Sequence, residues 1–390
     1  MVPPAVTLER VGPLMRGMGI TRIANVTGLD VVGIPVAQAA RPNARSNAVS
    51  QGKGLDLDSA KASALMEAIE TYHAEQGCHP VHFASTAELR RHARTAEVTR
   101  LPMASGTKYH ADLDMLWIEG EDLINGEAVW VPYECVHTRF KQPYPPGSGC
   151  FPTTTNGLAS GNNRVEAIVH GLCEAIERDA TSLFELEPRR RTTDRVALGS
   201  IDDPDCRWLI DRFECAGLIV AVWDITSDIG IPTFWCQVME RDDGPALLPH
   251  PAEGHGCHLD KSVALARALT EAAQARVTVI AGARDDMSSD RYRASDDVSQ
   301  LSAWKRFICT EQGPRQFGAM DSFGTPAFEM DLRLLLDRLK ARGIDEAIVV
   351  DLTAEPDAPY AVVRIVVPGL EGIVSGGCRP GDRARRTVSR

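Results

Sequence analysis

The stretch Asn162-Asn163-Arg164-Val165-Glu166-Ala167-Ile168-Val169-His170-Gly171-Leu172-Cys173-Glu174-Ala175-Ile176-Glu177-Arg178-Asp179 constrains the fold more than any other. Its periodicity is helical. At about 100° per residue, Asn162, Glu166, His170, Glu174 and Glu177 share an arc of roughly 120°, while Val165, Ile168, Val169, Leu172 and Ile176 fall on the other side. An amphipathic helix with a solvated acidic face satisfies that pattern. The same frame, however, is written three times. Ser63-Ala64-Leu65-Met66-Glu67-Ala68-Ile69-Glu70 repeats the run from His170 to Glu177, and Arg267-Ala268-Leu269-Thr270-Glu271-Ala272-Ala273-Gln274 is a weaker copy. The copies start at 63, 170 and 267, so they lie 107 and 97 residues apart. A face that meets only water has no reason to recur in register.

Acidic side chains three or four positions apart repel by roughly 0.2–0.5 kcal/mol per pair on an isolated helix. Glu166, Glu174 and Glu177 therefore gain if a cation lies among them. Hard cations such as Mg²⁺ take carboxylate oxygens and usually bring phosphates with them. The pattern predicts a carboxylate-lined Mg²⁺–nucleotide site on three helices, near 57–77, 162–183 and 260–281.

Charge and composition narrow the alternatives. A net charge of −11 over 390 residues argues against a generic nucleic-acid surface. No apolar run reaches membrane-spanning length. Met1-Val2-Pro3-Pro4 lacks the basic region and apolar core of a signal peptide, so a cytoplasmic location is expected. None of the ten cysteines forms a Cys-x-x-Cys pair, which argues against a zinc ribbon or a dithiol site. Most are expected to be buried thiols, with Cys173 falling inside the acidic arc. Gly256-Cys257-His258 reads as loop.

Along the chain, residues 1–20 read as a Pro- and Gly-punctuated lead-in. Residues 23–26 and 29–34 read as strands, and 39–47 as a loop. Gln51-Gly52-Lys53-Gly54 reads as a flexible turn. Its Gly-Lys pair occurs in phosphate loops, but the full Gly-x-x-x-x-Gly-Lys-[Ser/Thr] is absent. Residues 79–150 read as strands and loops, with a hairpin about Asn125-Gly126. The small, polar run 151–161 suits an anion facing backbone N–H groups, and equally an ordinary loop capped by Asn162. A second repeat follows. Helix, Gly217, and a strand ending Asp224-Ile225-Thr226 are echoed by helix, Gly343, and a strand ending Asp351-Leu352-Thr353, each with a further strand after it. Asp224 and Asp351 read as turn residues rather than catalysts. Residues 284–300 read as an exposed linker or lid, and 376–390 as a basic flexible tail. The fold class is α/β, with sheet layers packed by helices in a domain over 21–375.

Gln51-Gly52-Lys53-Gly54, Ser63-x-x-x-Glu67-x-x-Glu70 and Asn162-x-x-x-Glu166 with Glu174-x-x-Glu177-Arg178 together resemble the YcaO superfamily. Arg267 to Gln274 and Val366-Val367-Pro368-Gly369-Leu370-Glu371 fit its later segments, so the resemblance covers about residues 20–375. It implies an ATP site in which Mg²⁺ bridges phosphates to Glu67, Glu70, Glu166, Glu174 and Glu177. It further implies nucleotide contacts from Lys53, Ser63, Asn162, Arg178, Arg22, Arg267, Glu271 and Gln274, with Glu67, Glu174 and Arg178 closest to the chemistry. That chemistry is phosphorylation of a peptide-backbone amide oxygen, followed by attack of a nucleophile on the carbon.

Two departures bear on subtype. The chain ends Arg383-Ala384-Arg385-Arg386-Thr387-Val388-Ser389-Arg390, where azoline-forming members often carry Pro-x-Pro-x-Pro. His170 stands where other members often have Gln or Glu. The resemblance is greatest to stand-alone members that work with a TfuA-type partner in thioamide formation on a peptide or protein, with a homodimer as the expected assembly. An azoline-forming cyclodehydratase of a ribosomal peptide and a non-catalytic helper of ribosomal-protein methylthiolation are the alternatives.

Overall fold

The computed structural model describes the chain apart from residues 1, 77–78, 140–142, 242–249, 286, 288–297, 311–312, 373–376 and 390. A first unit runs α1 (Pro4–Val11), β1 (Arg22–Asn25), β2 (Val36–Ala40), β3 (Val49–Lys53) and α2 (Leu57–Gln76). β4 (Val81–Ser85), α3 (Thr86–Leu89), β5 (Asp114–Asp122) and β6 (Glu127–Pro132) follow. Next come β7 (Leu158–Gly161), α4 (Arg164–Glu185) and the short α5 (Arg190–Thr193). A second unit comprises α6 (Pro204–Cys215), β8 (Leu218–Asp224), β9 (Thr233–Glu240), β10 (Ala252–Cys257) and α7 (Lys261–Ala281). The chain continues through α8 (Val298–Thr310), α9 (Phe328–Lys340), β11 (Ile348–Asp351), β12 (Ala361–Val366) and α10 (Asp382–Val388).

The strands form two three-stranded sheets, β1-β2-β3 and β8-β9-β10, and one six-stranded sheet in the order β4-β5-β11-β12-β7, with β6 paired to β5. In each of the triplets β1-β2-β3, β8-β9-β10 and β11-β12-β7 the last strand leads into an acidic helix, respectively α2, α7 and α4. The repeat seen twice in the sequence is thus threefold in space. Its turn chemistry is the same each time. The side-chain oxygen of Asn25, Asp224 or Asp351 accepts the N–H two residues on (3.1, 3.1 and 2.9 Å). The hydroxyl of Thr27, Thr226 or Thr353 then accepts the N–H of Val36, Thr233 or Val362 as the next strand begins (3.1, 3.1 and 3.0 Å). Asp224 and Asp351 are turn residues, held by local side-chain-to-backbone bonds.

Each helix lies unusually close to its strand. A Cβ on Gly52 would stand 2.1 Å from the Ala60 carbonyl oxygen, and one on Gly254 2.1 Å from that of Ala268. Glycine on the strand and alanine on the helix let backbone meet backbone, which fixes the height of the glutamates one turn further on. Behind α4, Ile168, Val169, Leu172 and Ile176 pack against Val349, Val363 and Ile365 of the sheet and Leu335 and Leu339 of α9.

Several expectations are corrected. Residues 1–20 are not a mere lead-in, since they contain α1. Residues 29–34 hold no strand. Val32 and Ile34 are apolar because they pack on Leu209 and Phe213, a buried connection rather than a sheet element. β2 takes the start of the expected loop at 39–47, β3 takes most of the expected turn at 51–54, and β7 occupies the end of 151–161. Gly256 and Cys257 belong to β10. Asn163, not Asn162, caps α4, its side chain accepting the Glu166 N–H at 3.0 Å. Cys173 lies in the core with Cys257, away from the acidic face. The tail is a helix, α10, whose Arg383 grips the fully buried Asp179 at 2.8 and 2.9 Å. Most of the expected linker 284–300 lies outside the described residues.

Candidate active site

The pseudo-threefold arrangement turns three polar helix faces, two acidic (α2 and α4) and one mixed in charge (α7), toward one space. Each helix contributes equivalent positions at three heights: Ser63, His170 and Arg267; then Glu67, Glu174 and Glu271; then Glu70, Glu177 and Gln274. All nine line one cavity of about 2130 Å³, together with Lys53, Asn162, Glu166 and Arg178. Of the residues expected at the site, only Arg22 is not brought there. It is exposed on β1 and is absent from the cavity lining.

Hydrogen bonds fix many of these groups before any ligand arrives. The Asn162 side-chain oxygen accepts from the Thr7 hydroxyl at 2.8 Å, so its NH₂ faces Glu166, to which it donates at 3.1 Å. The Asn162 N–H also donates to Glu166, at 3.2 Å. The Ser160 hydroxyl donates to Glu70 at 2.6 Å. Lys53 at the end of β3 pairs with Glu271 of α7, and the His255 N–H donates to the same carboxylate at 3.3 Å. Arg178 stands 3.3 Å from Glu177 and 3.9 Å from Glu174. His170 Nδ1 lies 3.3 Å from the Ser160 carbonyl oxygen.

The electrostatics are unbalanced in a way that points to a ligand. Burial pushes the Glu67 and Glu174 carboxyls up to about 7 and Glu70 up to about 8. Glu271 differs: burial disfavours its ionisation, but Lys53 and Arg178 outweigh that and hold it well below the usual range. Burial, reinforced by Arg267, lowers His170 to about 4, so the imidazole is neutral. The buried Nε atoms of Arg178 and Arg267 have no hydrogen-bond partner. Buried polar groups in native proteins are ordinarily paired. Carboxylates resisting ionisation beside unused guanidinium donors fit divalent cations held with an anion. Among the described residues, no three His, Cys, Asp or Glu side chains stand close enough to hold a metal unaided. A divalent ion here would complete its shell with other oxygen donors, the habit of Mg²⁺ with phosphates.

Sequence reasoning missed several participants. Thr7 lay in what read as a lead-in, and nothing in its neighbours marks it. Ser160 lies in the small polar run 151–161, and Gln51 in the expected flexible turn, where only Lys53 is given a site role, although Gln51 lines the cavity and accepts from Thr278 of α7. Arg364 of β12 is buried with Nε and Nη1 unpartnered; burial lowers it to about 10, against the attraction of Glu174. A basic residue inside an otherwise apolar strand run was the available signal for it.

Residues 51–371 match the profile of a family described as YcaO cyclodehydratase, ATP- and Mg²⁺-binding. The chain belongs to the YcaO family. It is 37% identical over 394 residues to an uncharacterized protein in the tfuA 3′ region of Rhizobium leguminosarum bv. trifolii, spanning 99% of this chain and 92% of that one. The structure of YcaO from Methanopyrus kandleri bound with AMPPCP and Mg²⁺ superposes with a TM-score of 0.74 at 24% identity, over 95% of this chain and 91% of that chain. A heterocyclase in complex with substrate and cofactor gives a TM-score of 0.75 at 23% identity over 95% of this chain, which spans 52% of the heterocyclase. These two likenesses concern the fold. ATP and Mg²⁺, expected from the acidic helices and the resemblance, are the ligands in the family's own description.

Proposed function

We propose that this chain uses ATP to activate a peptide-backbone amide and that a hydrosulfide equivalent then replaces the amide oxygen, giving a thioamide. The observation that carries the activation step is the cavity itself, where buried carboxylates face guanidinium nitrogens that have no partner. The sulfur step is supported by the tfuA-adjacent relative. Glu67, Glu70, Glu166, Glu174 and Glu177 would hold Mg²⁺, which supplies positive charge to phosphate oxygens. Ser63, Asn162, Arg178 and Arg267 would take phosphate oxygens directly, and Lys53, Glu271 and Gln274 would complete the nucleotide contacts.

In this reading the amide oxygen attacks the terminal phosphorus of ATP, the bond to ADP breaks, and Arg178 stabilises charge on the transferring group. Hydrosulfide adds to the carbon, the C–O bond breaks, and the oxygen departs with phosphate. Amide, ATP and hydrosulfide become thioamide, ADP and phosphate, with the hydrosulfide proton ending on phosphate. No protein nucleophile is required, in keeping with a site built mainly of carboxylates and cationic side chains.

The test combines the chain, Mg²⁺, ATP, sulfide, a TfuA-like partner and a candidate peptide, read by mass spectrometry. Sulfur-for-oxygen exchange is expected. Loss of water instead would mark an azoline-forming cyclodehydratase, the reading favoured by the family's description and the heterocyclase fold. Nucleotide binding without any peptide-dependent ADP release would leave an accessory role.

A further inference from the structure

We propose that His170 is a nitrogen ligand to a divalent metal on the face of α4, and that the site consequently favours Mn²⁺ or Co²⁺ over Mg²⁺. The inference rests on the metal–nucleotide reading above. It begins with placement. His170 lies one turn from Glu166 and one turn from Glu174, so three ligand-type side chains form an i, i+4, i+8 stripe, and all three line the cavity. Residues at i, i+4 are neighbours on one helix face, the spacing that helical metal motifs use. Among the described residues no three such groups stand close enough to hold an ion unaided, so His170 would share it with a neighbouring carboxylate and with phosphate oxygens.

The second step concerns the ring. Its Nδ1 faces the Ser160 carbonyl oxygen at 3.3 Å. A carbonyl only accepts, so Nδ1 carries the proton and Nε2 keeps its lone pair. Phe328 of α9 meets the ring edge-on, with centroids 6.4 Å apart and planes at 89°, and restrains its tilt. A ligating histidine ordinarily donates its other N–H to a carbonyl or carboxylate in this manner. Ser160 also orients Glu70 through its hydroxyl, at 2.6 Å. One residue of β7 thereby aims an imidazole of α4 and a carboxylate of α2 into the same cavity.

The third step is comparison among the helices. The positions equivalent to His170 are Ser63 and Arg267, which bring a hydroxyl and a guanidinium. Only α4 brings an sp² nitrogen lone pair at this height. Imidazole suits the later divalent ions, whereas Mg²⁺ takes oxygen.

The test loads the full-length chain with Mn²⁺ and AMPPCP and records electron spin-echo modulation. Directly bonded histidine nitrogen should appear, should change when the chain is grown with ¹⁵N-histidine, and should vanish in His170→Gln. The ratio of Mg²⁺ to Mn²⁺ dissociation constants, measured with AMPPCP, should fall by at least about tenfold in the same variant. Mn²⁺ bound with nucleotide but without histidine coupling overturns the His170 assignment alone, as does coupling that survives His170→Gln. Absence of any nucleotide-dependent Mn²⁺ binding overturns the assignment together with the metal–nucleotide reading.

Discussion

Glu70→Gln should make the ligand-free protein more stable and the nucleotide-bound protein weaker. Burial holds the Glu70 carboxyl at about 8, against an ordinary 4.5. A native value above the unfolded one means that the folded state binds the proton more tightly. The stabilisation is therefore full below pH 4.5 and is lost as pH rises through about 8. Taken whole, the difference opposes the ionised form by on the order of 4–5 kcal/mol. Water in the open cavity screens part of it, and about 2 kcal/mol is the expected effect. Glutamine can still accept from the Ser160 hydroxyl, so that bond survives. Thermal unfolding without nucleotide, scanned from pH 5 to 9, should show the wild-type midpoint falling toward alkaline pH. The variant should fall less, ending roughly 2–5 °C higher at the alkaline end. With Mg²⁺ and AMPPCP the order should reverse, because the variant has lost one of the carboxylates that hold the cation and gains less from binding it. A variant less stable than wild type at pH 9 without ligand would refute the idea that this carboxylate waits for a cation.

Three further outcomes follow from the same geometry. Arg178→Lys removes the unpartnered Nε donor, and AMPPCP affinity by calorimetry should fall roughly 10–100-fold, the value of about 1.5–3 kcal/mol for a charged hydrogen bond. Gly254→Ala would set a methyl 2.1 Å from the Ala268 carbonyl oxygen and 2.4 Å from the Ala272 nitrogen; overpacking of about 1–3 kcal/mol should displace α7 and weaken nucleotide binding, although Gly254 does not line the cavity. Arg383→Met leaves Asp179 buried at 0% exposure without its counter-charge, the bond from the Glu371 N–H remaining, which should lower stability to denaturant by about 3–5 kcal/mol, with partial recovery on adding Asp179→Asn.

What the sequence disclosed was whatever repeats. The three acidic helices recur in one frame, so α2, α4 and α7 and their glutamates were readable with no partner in view. Asp224 and Asp351 were legible because each precedes a threonine by two positions and follows a strand. The first unit escaped because Asn25 replaces aspartate and because the apolar Val32 and Ile34 imitate a strand while packing on another unit. Thr7, Ser160 and Arg383 were out of reach for a different reason. Each acts through long-range bonds, Thr7 to Asn162, Ser160 to Glu70 and Arg383 to Asp179, and such bonds leave no local periodicity. Arg22 is the opposite case, a positive charge expected from the resemblance that lies exposed on β1 and outside the cavity lining.

The third unit is assembled out of chain order. Strand β7 and helix α4 are synthesised near residues 158–185, yet Gly161 pairs with Ala361 and Leu158 with Arg364. The helix bearing Glu174 and Arg178 must wait for two strands some 200 residues downstream before its sheet exists. Contacts of such sequence separation are slow to form, and N-terminal segments emerge first during translation. Assembly of the proposed nucleotide site is therefore expected to come late in the maturation of this chain. A fragment ending before β11 would carry every site glutamate and still lack the sheet that orients α4, so the last tenth of the sequence acts as a checkpoint on whether the ATP site opens for use at all.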